Sequence, residues 1–207
     1  MLCRIFLYYF RYSALNSTTA RRVNMRLISY TGVTVQVVGL SLLLILRANA
    51  TADPNPILAL TSSAFENQGT IPEQYTCSGR NESPELRWTG IPGGTRSLSL
   101  ILDDPDAPIG TFVHWVIYNL SPTTTGLPEG VSATASIADS EQGTNGSGTI
   151  GYTGPCPPPG KQHHYHFRLY ALDQKLKLKA GATAHQVEAA IKGHVLGRAE
   201  LVGIFAR

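Results

Sequence analysis

Cysteine is scarce: only Cys3, Cys77 and Cys156 occur in 207 residues, which leaves room for one disulfide at most. No Gly-x-Ser-x-Gly elbow and no glycine-rich phosphate cradle occurs, so the common hydrolase and nucleotide-binding signatures are missing. No compact metal-ligand spacing such as His-Glu-x-x-His occurs either. The basic residues form no stripe that could follow a nucleic-acid backbone, and nucleic acid is not an expected partner. No internal repeat divides the chain, and nothing marks a second domain after the N-terminal segment.

That segment differs from the rest. An apolar run from Gly32 to Leu46 follows Met25-Arg26, and Ala48-Asn49-Ala50 or Ala50-Thr51-Ala52 supplies a small-x-small cleavage site. The run is short for a bilayer span and reads as a signal peptide. Residues 1–52 are therefore expected to be a leader, with the signal peptide at 25–50. Residues 1–24 precede an already complete leader, which points to translation starting at Met25. Export to the periplasm or the exterior is the expected localisation. An uncleaved, membrane-anchoring leader is the alternative, and no Leu-x-x-Cys lipid-attachment box is present. The leader holds six of the seventeen basic residues and none of the fourteen acids, leaving residues 53–207 with eleven against fourteen, a net of −3. Cleavage also removes Cys3. Cys77 and Cys156 then admit one bridge in an oxidising compartment, with two free thiols as the alternative.

Residues 53–207 suit one domain with a sizeable core. Leu58–Ser62, Leu86–Trp88, Ser97–Leu102, Val113–Tyr118 and Tyr165–Leu172 read as strands separated by Gly, Pro and Asn turns, the spacing of a mostly β sandwich. Thr183-Ala184-His185-Gln186 has the form of a capping box. Val187, Ala190, Ile191 and Val195 recur behind it at helical spacing, with Gly197 as the expected stop and Ala199–Phe205 as a last strand. The polar stretch Thr123–Thr149 reads as one long loop, either functional or mobile.

Two segments carry the chemistry. In Asp104-Pro105-Asp106-Ala107-Pro108 the prolines stiffen the backbone, and the two carboxylates alternate in direction, so one can face a pocket while the other braces the loop. His114 follows on the next strand. The second segment, Gly154-Pro155-Cys156-Pro157-Pro158-Pro159, runs into His163-His164-Tyr165-His166. Strand alternation sets His163 and Tyr165 on one face and His164 and His166 on the other. His114, His163 and one aspartate, supplemented by Tyr165, would hold a phosphate, phosphonate or carboxylate through charge-assisted hydrogen bonds, with Gly154-Pro155 as a stiff wall. A zinc site is the competing use of such residues, without a matching spacing.

These residues resemble the phosphatidylethanolamine-binding proteins, in their bacterial Raf kinase inhibitor-like branch. The resemblance runs from about Leu60 to the C-terminus. It rests on Ile71-Pro72-Glu73-Gln74-Tyr75-Thr76-Cys77-Ser78-Gly79, Asn81-Glu82-Ser83-Pro84-Glu85-Leu86-Arg87-Trp88, Asp104–Pro108, His114-Trp115 with Asn119, and Gly151-Tyr152-Thr153-Gly154-Pro155-Cys156-Pro157-Pro158. It implies an antiparallel β-sandwich with a short C-terminal helix and a small anion pocket at one end. Asp104, His114 and His163 would line that pocket, with Gly154, Pro155 and Tyr165 nearby. Phe112 stands where many relatives carry tryptophan, and His164 replaces the usual basic residue.

The function expected from these readings is non-enzymatic binding of a small anionic ligand or a phospholipid head group, with no cofactor. An interaction or inhibitor module acting on a protease or kinase is the alternative, and self-association into a homodimer is a further expectation. A hydrolase using Cys156 and His163, or a metal, ranks last.

Overall fold

The computed structural model describes residues 57–207; the expected leader, its cleavage sites, Met25 and Cys3 lie outside the described residues. In chain order the strands are β1 (Ala59–Thr61), β2 (Gly69–Thr70), β3 (Leu86–Thr89), β4 (Ser97–Asp104), β5 (Phe112–Leu120), β6 (Gly126–Leu127), β7 (Ser136–Ile137), β8 (Ser140–Thr144), β9 (Gln162–Leu172), β10 (Gly181–Thr183) and β11 (Val195–Ala206). The helix α1 (Ala184–Ile191) lies between the last two. They form a small sheet, β1-β3-β6, and a large one, β10-β8-β5-β4-β9-β11-β2, with β7 attached to β8. The architecture is the expected sandwich, with one addition: the edge pairings β10–β8 and β11–β2 are parallel.

The core follows from the strand sequences. In β4, Leu98, Leu100 and Leu102 face the small sheet and join Leu60, Leu86, Trp88 and Leu127 in one buried cluster with Trp115, Phe167 and Leu169. Ile101 faces the other way, into a second cluster of Val116, Tyr118, Val187 and Ile191 beneath α1. Every residue of β4 is buried, because this central strand is covered on both faces. Fully burying one such leucine contributes on the order of 2 kcal/mol.

Two local expectations differ from the structure. The capping box forms as read: the Thr183 side chain accepts from the backbone of Gln186, and the Gln186 side chain accepts from the Thr183 N–H. The helix, however, stops at Ile191, not at Gly197, because Gly193 takes a left-handed backbone (φ 82°) and His194 N–H closes onto the Ile191 carbonyl. Val195 and Gly197 belong instead to β11, where Pro92 packs against Gly197. The stretch Thr123–Thr149 is not one loop. It contains β6, β7 and β8, and β8 pairs with β5 through Ile117–Gln142 and Tyr118–Glu141.

Candidate functional site: a buried histidine and carboxylate cluster

Leu102 of β4 sits beside Phe167 of β9 in an antiparallel register, so Asp104 comes level with Tyr165 and His163 on the core side of the sheet. The burial of β9 alternates along His163-His164-Tyr165-His166, with His163 and Tyr165 buried and His164 and His166 half-exposed. His114 reaches the same place by a different device. Leu102 pairs with Trp115 and Asp103 with Val113, which leaves His114 as the extra residue of a β-bulge. Strict alternation from Trp115 would turn His114 away from the core; the bulge turns it inward, and its ring lies 5.2 Å from that of Tyr165.

The cluster is closely held. His163 Nδ1–H donates to Asp104 Oδ2 at 2.7 Å, with the two side chains 3% and 5% exposed. Asp104 Oδ1 accepts the backbone N–H of Asp106 at 2.8 Å, a turn that Pro105 pre-sets. His114 Nδ1–H donates to the Thr153 carbonyl at 2.8 Å, and Thr153 N–H returns a bond to the His114 carbonyl at 2.9 Å. Carbonyl and carboxylate oxygens accept only, so both rings carry their proton on Nδ1. The Gly154 carbonyl also lies within reach of the His114 ring and favours its protonated form. Burial pushes the His114 imidazole below its usual range, against the opposing pulls of the Thr153 carbonyl and of Asp104, and keeps it neutral near pH 7.

Tyr165 completes the group. Its ring stacks towards His163 and meets His114 edge-on. Its hydroxyl is buried and has no hydrogen-bond partner. Burial, helped by the charges of Asp104 and Asp106, raises that hydroxyl well above the ordinary tyrosine range, so it stays protonated and able to donate. Such an orphan costs roughly 1–3 kcal/mol unless something occupies the space before it.

Asp106 is not in the cluster. It stands exposed on the rim, where Oδ2 accepts both the N–H and Nδ1–H of His164, at 2.9 and 2.7 Å. The His164 bonds hold its carboxyl below the usual range. The Asp106 carboxylate thus latches the proline loop to β9, while its backbone N–H supports Asp104. Phe112 packs edge-on against His114 at 4.8 Å and lies over Gly146, where a Cβ would come within 2.8 Å of the ring. Gly154 and Pro155 form the wall. Gly154 N–H donates to Asn81 Oδ1 at 2.7 Å, and the Pro155 carbonyl accepts Cys77 N–H at 3.0 Å. A Cβ on Gly154 would meet the Tyr75 carbonyl at 2.5 Å, so only glycine fits. Cys77 and Cys156 are joined by a disulfide, their Cα atoms 5.4 Å apart.

Two shallow surface hollows, of about 270 and 410 Å³, are lined by other residues: Glu73, Ser78 and Arg207 in one, Glu85, Arg87 and the 123–128 segment in the other. Neither is lined by Asp104, His114, His163 or Tyr165. The unsatisfied Tyr165 hydroxyl, beside two buried imidazoles and a buried carboxylate, marks the cluster, not the hollows, as the candidate site. Among the described residues no group of three or more His, Cys, Asp or Glu could hold a metal ion.

The profile of the phosphatidylethanolamine-binding protein family matches residues 61–206. The chain belongs to this family. Among curated relatives, a UPF0098 protein of Methanothermobacter thermautotrophicus is 53% identical over 149 residues, covering 72% of this chain and 98% of the relative. Among solved structures, a proposed family homologue from Chlamydia trachomatis superposes with a TM-score of 0.68 at 39% identity, over 73% of this chain and 99% of its own. YbcL of E. coli, described as a member of the mammalian family, superposes with a TM-score of 0.68 at 30% identity, over 72% and 98%.

Within this family member, sequence reasoning overlooked three contributors to the site. Asn81, with a left-handed backbone (φ 57°), braces Gly154 from a distance of 73 residues. The Thr153 carbonyl fixes the His114 tautomer. Tyr152, whose hydroxyl donates to the Tyr75 carbonyl at 2.6 Å, ties the same segment to the 3₁₀ turn Glu73–Tyr75. Asn81 and Tyr152 both stand in the motifs that carry the family resemblance, but nothing in their spacing announces these contacts.

Proposed function

We propose that the protein is a non-enzymatic binding protein whose buried cluster takes a small phosphate-like or carboxylate group, a phospholipid head group among the candidates. The observation that carries this reading is the Tyr165 hydroxyl: buried, protonated, without a partner, on a ring that stacks between two buried histidines. A ligand oxygen would satisfy it. The scaffold around it is fixed beforehand by the Asp104–His163 bond, the His114–Thr153 bonds and the glycine-proline wall, so binding loses little ordering entropy.

Binding is favoured over catalysis by two features. The Cys156 sulfur is shared with Cys77, which leaves it no thiolate to act as a nucleophile. Each histidine spends Nδ1 on an orienting acceptor, and the recorded bonds of neither ring include a serine or threonine hydroxyl that it could activate. The disulfide and the apolar leader sequence together support an exported, oxidising location.

Tyr165→Phe tests the reading. The variant should fold like the parent and bind phosphate at least about tenfold more weakly, the loss of one buried hydrogen bond. Unchanged phosphate affinity would remove the hydroxyl from the site and with it the main support for the proposal.

A further inference from the structure

Charge is unevenly spread over the fold. The segment from Asp173 to Arg198 holds five bases against two acids, a net of +3, while the remainder of residues 53–207 holds six against twelve, a net of −6. Four of the five lysines of the chain, Lys175, Lys177, Lys179 and Lys192, lie in this segment, and all four are exposed. None of them forms an ion pair among the described residues. Of the two acids, Asp173 is taken by His194 at 2.9 Å, and Glu188 acts on Asp103 and Tyr170.

The fold holds these lysines outward. Burial alternates along Lys175-Leu176-Lys177-Leu178-Lys179, with Leu176 buried and Leu178 partly buried in the cluster of Val187 and Ile191. Side chains of β4 and β5 pin the backbone beneath. Ser97 Oγ–H donates to the Gln174 carbonyl, the Tyr118 hydroxyl donates to the Lys179 carbonyl, and the Asn119 amide bonds both the N–H and the carbonyl of Leu176, at 2.7 and 3.0 Å. Arg96, also exposed, is fixed beside them by its N–H on the Leu172 carbonyl. Val195 and Leu196, three and four residues after Lys192, are each 42% exposed. Leu196 is the extra residue of a bulge between the pairs Val195–Leu172 and Gly197–Ala171.

All of this lies at the end of the large sheet where β4 begins. Ser97 pairs with Leu172 and Asp103 with His166, so the Asp104–His163 cluster stands at the other end, about 23 Å along the strand. We propose that this lysine-rich end docks on an anionic lipid bilayer, with the four lysines at head-group level and Val195 and Leu196 in the interface. Lysine is depleted from protein–protein interfaces, whereas lysines around exposed aliphatic side chains fit a charged lipid surface. Residues 173–198 contain no Phe, Tyr or Trp, so they offer no platform on which nucleic-acid bases could stack. Docked in this way, the protein turns the histidine and carboxylate cluster away from the bilayer, and a ligand of that cluster arrives from solvent.

The test is co-sedimentation of the full chain with vesicles of phosphatidylcholine alone and of phosphatidylcholine with about one third phosphatidylglycerol. A lysine at such a surface contributes about a fivefold gain in binding. The triple variant Lys175→Gln, Lys177→Gln, Lys179→Gln should therefore bind the anionic vesicles at least about tenfold more weakly and the neutral ones unchanged. Arg80→Gln, Arg87→Gln, Lys161→Gln removes the same charge elsewhere and should cost less than about threefold, because attraction to the surface fades within a Debye length. On anionic vesicles, hydrogen exchange should slow in residues 173–196 and not in 104–114 or 153–166. Phosphate binding by the lysine variant should match the parent, which separates this surface from the anion pocket. Equal losses in the two triple variants, no loss in the first, or protection at the cluster end would overturn the proposal. Lysine-dependent binding of double-stranded DNA without vesicle binding would overturn it as well and assign the patch to nucleic acid.

Discussion

The Asp104 carboxylate receives the Nδ1–H of His163 on one oxygen and the N–H of Asp106 on the other, at 2.7 and 2.8 Å. Both donors point at an acceptor-only group, so the pair is sensitive to a change of one atom. Asp104→Asn keeps the shape but replaces one oxygen by an amide that faces a donor. It should destabilise the protein by roughly 1–3 kcal/mol and weaken phosphate binding by loosening His163. Denaturant midpoints and a phosphate titration of the same variant check this; a variant of parental stability and affinity would contradict the orienting role.

Tyr165 makes the opposite stability prediction. Its hydroxyl gains nothing from the folded protein alone, so Tyr165→Phe should leave thermal stability unchanged or higher by up to about 2 kcal/mol while binding weakens. Added phosphate should raise the melting temperature of the parent more than that of the variant. A variant that is less stable and binds normally would show that the hydroxyl serves the fold.

His114 gives the fold a pH dependence with a definite sign. Its folded pKa is depressed by burial below the usual value, so the unfolded chain binds the proton more readily. The stability it contributes is fully present above about pH 6.5 and is lost as pH falls through the folded value. Asp103, on the opposite face and paired with Arg168, is raised by burial, and its contribution runs the other way: present below about pH 3.8 and lost as pH rises. Between pH 7 and pH 5 the histidine should dominate, and urea midpoints should fall. His114→Gln should abolish that part of the decline; an equal decline in the variant would assign it elsewhere.

The Cys77–Cys156 bridge closes a separation of 79 residues, worth about 4 kcal/mol in the chain-entropy picture. Reduction, or Cys77→Ser with Cys156→Ser, should lower the melting temperature by on the order of 10 °C. It should also weaken phosphate binding, because the bridge anchors the segment whose Thr153 carbonyl fixes His114. A mass gain of about 2 Da on reduction with no change in melting temperature would show the bridge to be dispensable.

Much of this was legible in the sequence, for identifiable reasons. Strands β3, β4, β5 and β9 declare themselves by β-branched, aromatic and leucine-rich runs between turn residues, and α1 by its capping box. Asp104, His163 and Tyr165 follow from strand alternation once β9 is recognised. His114 does not: its inward direction depends on a bulge that only the pairing of β4 with β5 creates. Strand β8, Ser140-Glu141-Gln142-Gly143-Thr144, has no apolar alternation, because Gln142 is buried for its amide. That side chain accepts from Trp115 Nε1–H and donates to the Ser132 and Thr134 carbonyls. Asn81 and Thr153 act through contacts that join distant parts of the chain, which local patterning does not encode.

The most direct measurement of the central claim is a calorimetric titration of the protein with phosphate at pH 6, beside His114→Ala and His163→Ala variants shown by circular dichroism to be folded. Saturable binding by the parent, lost in both variants, is the predicted result. Binding that survives both substitutions, or its absence in the parent, would contradict the assignment of this cluster as an anion site.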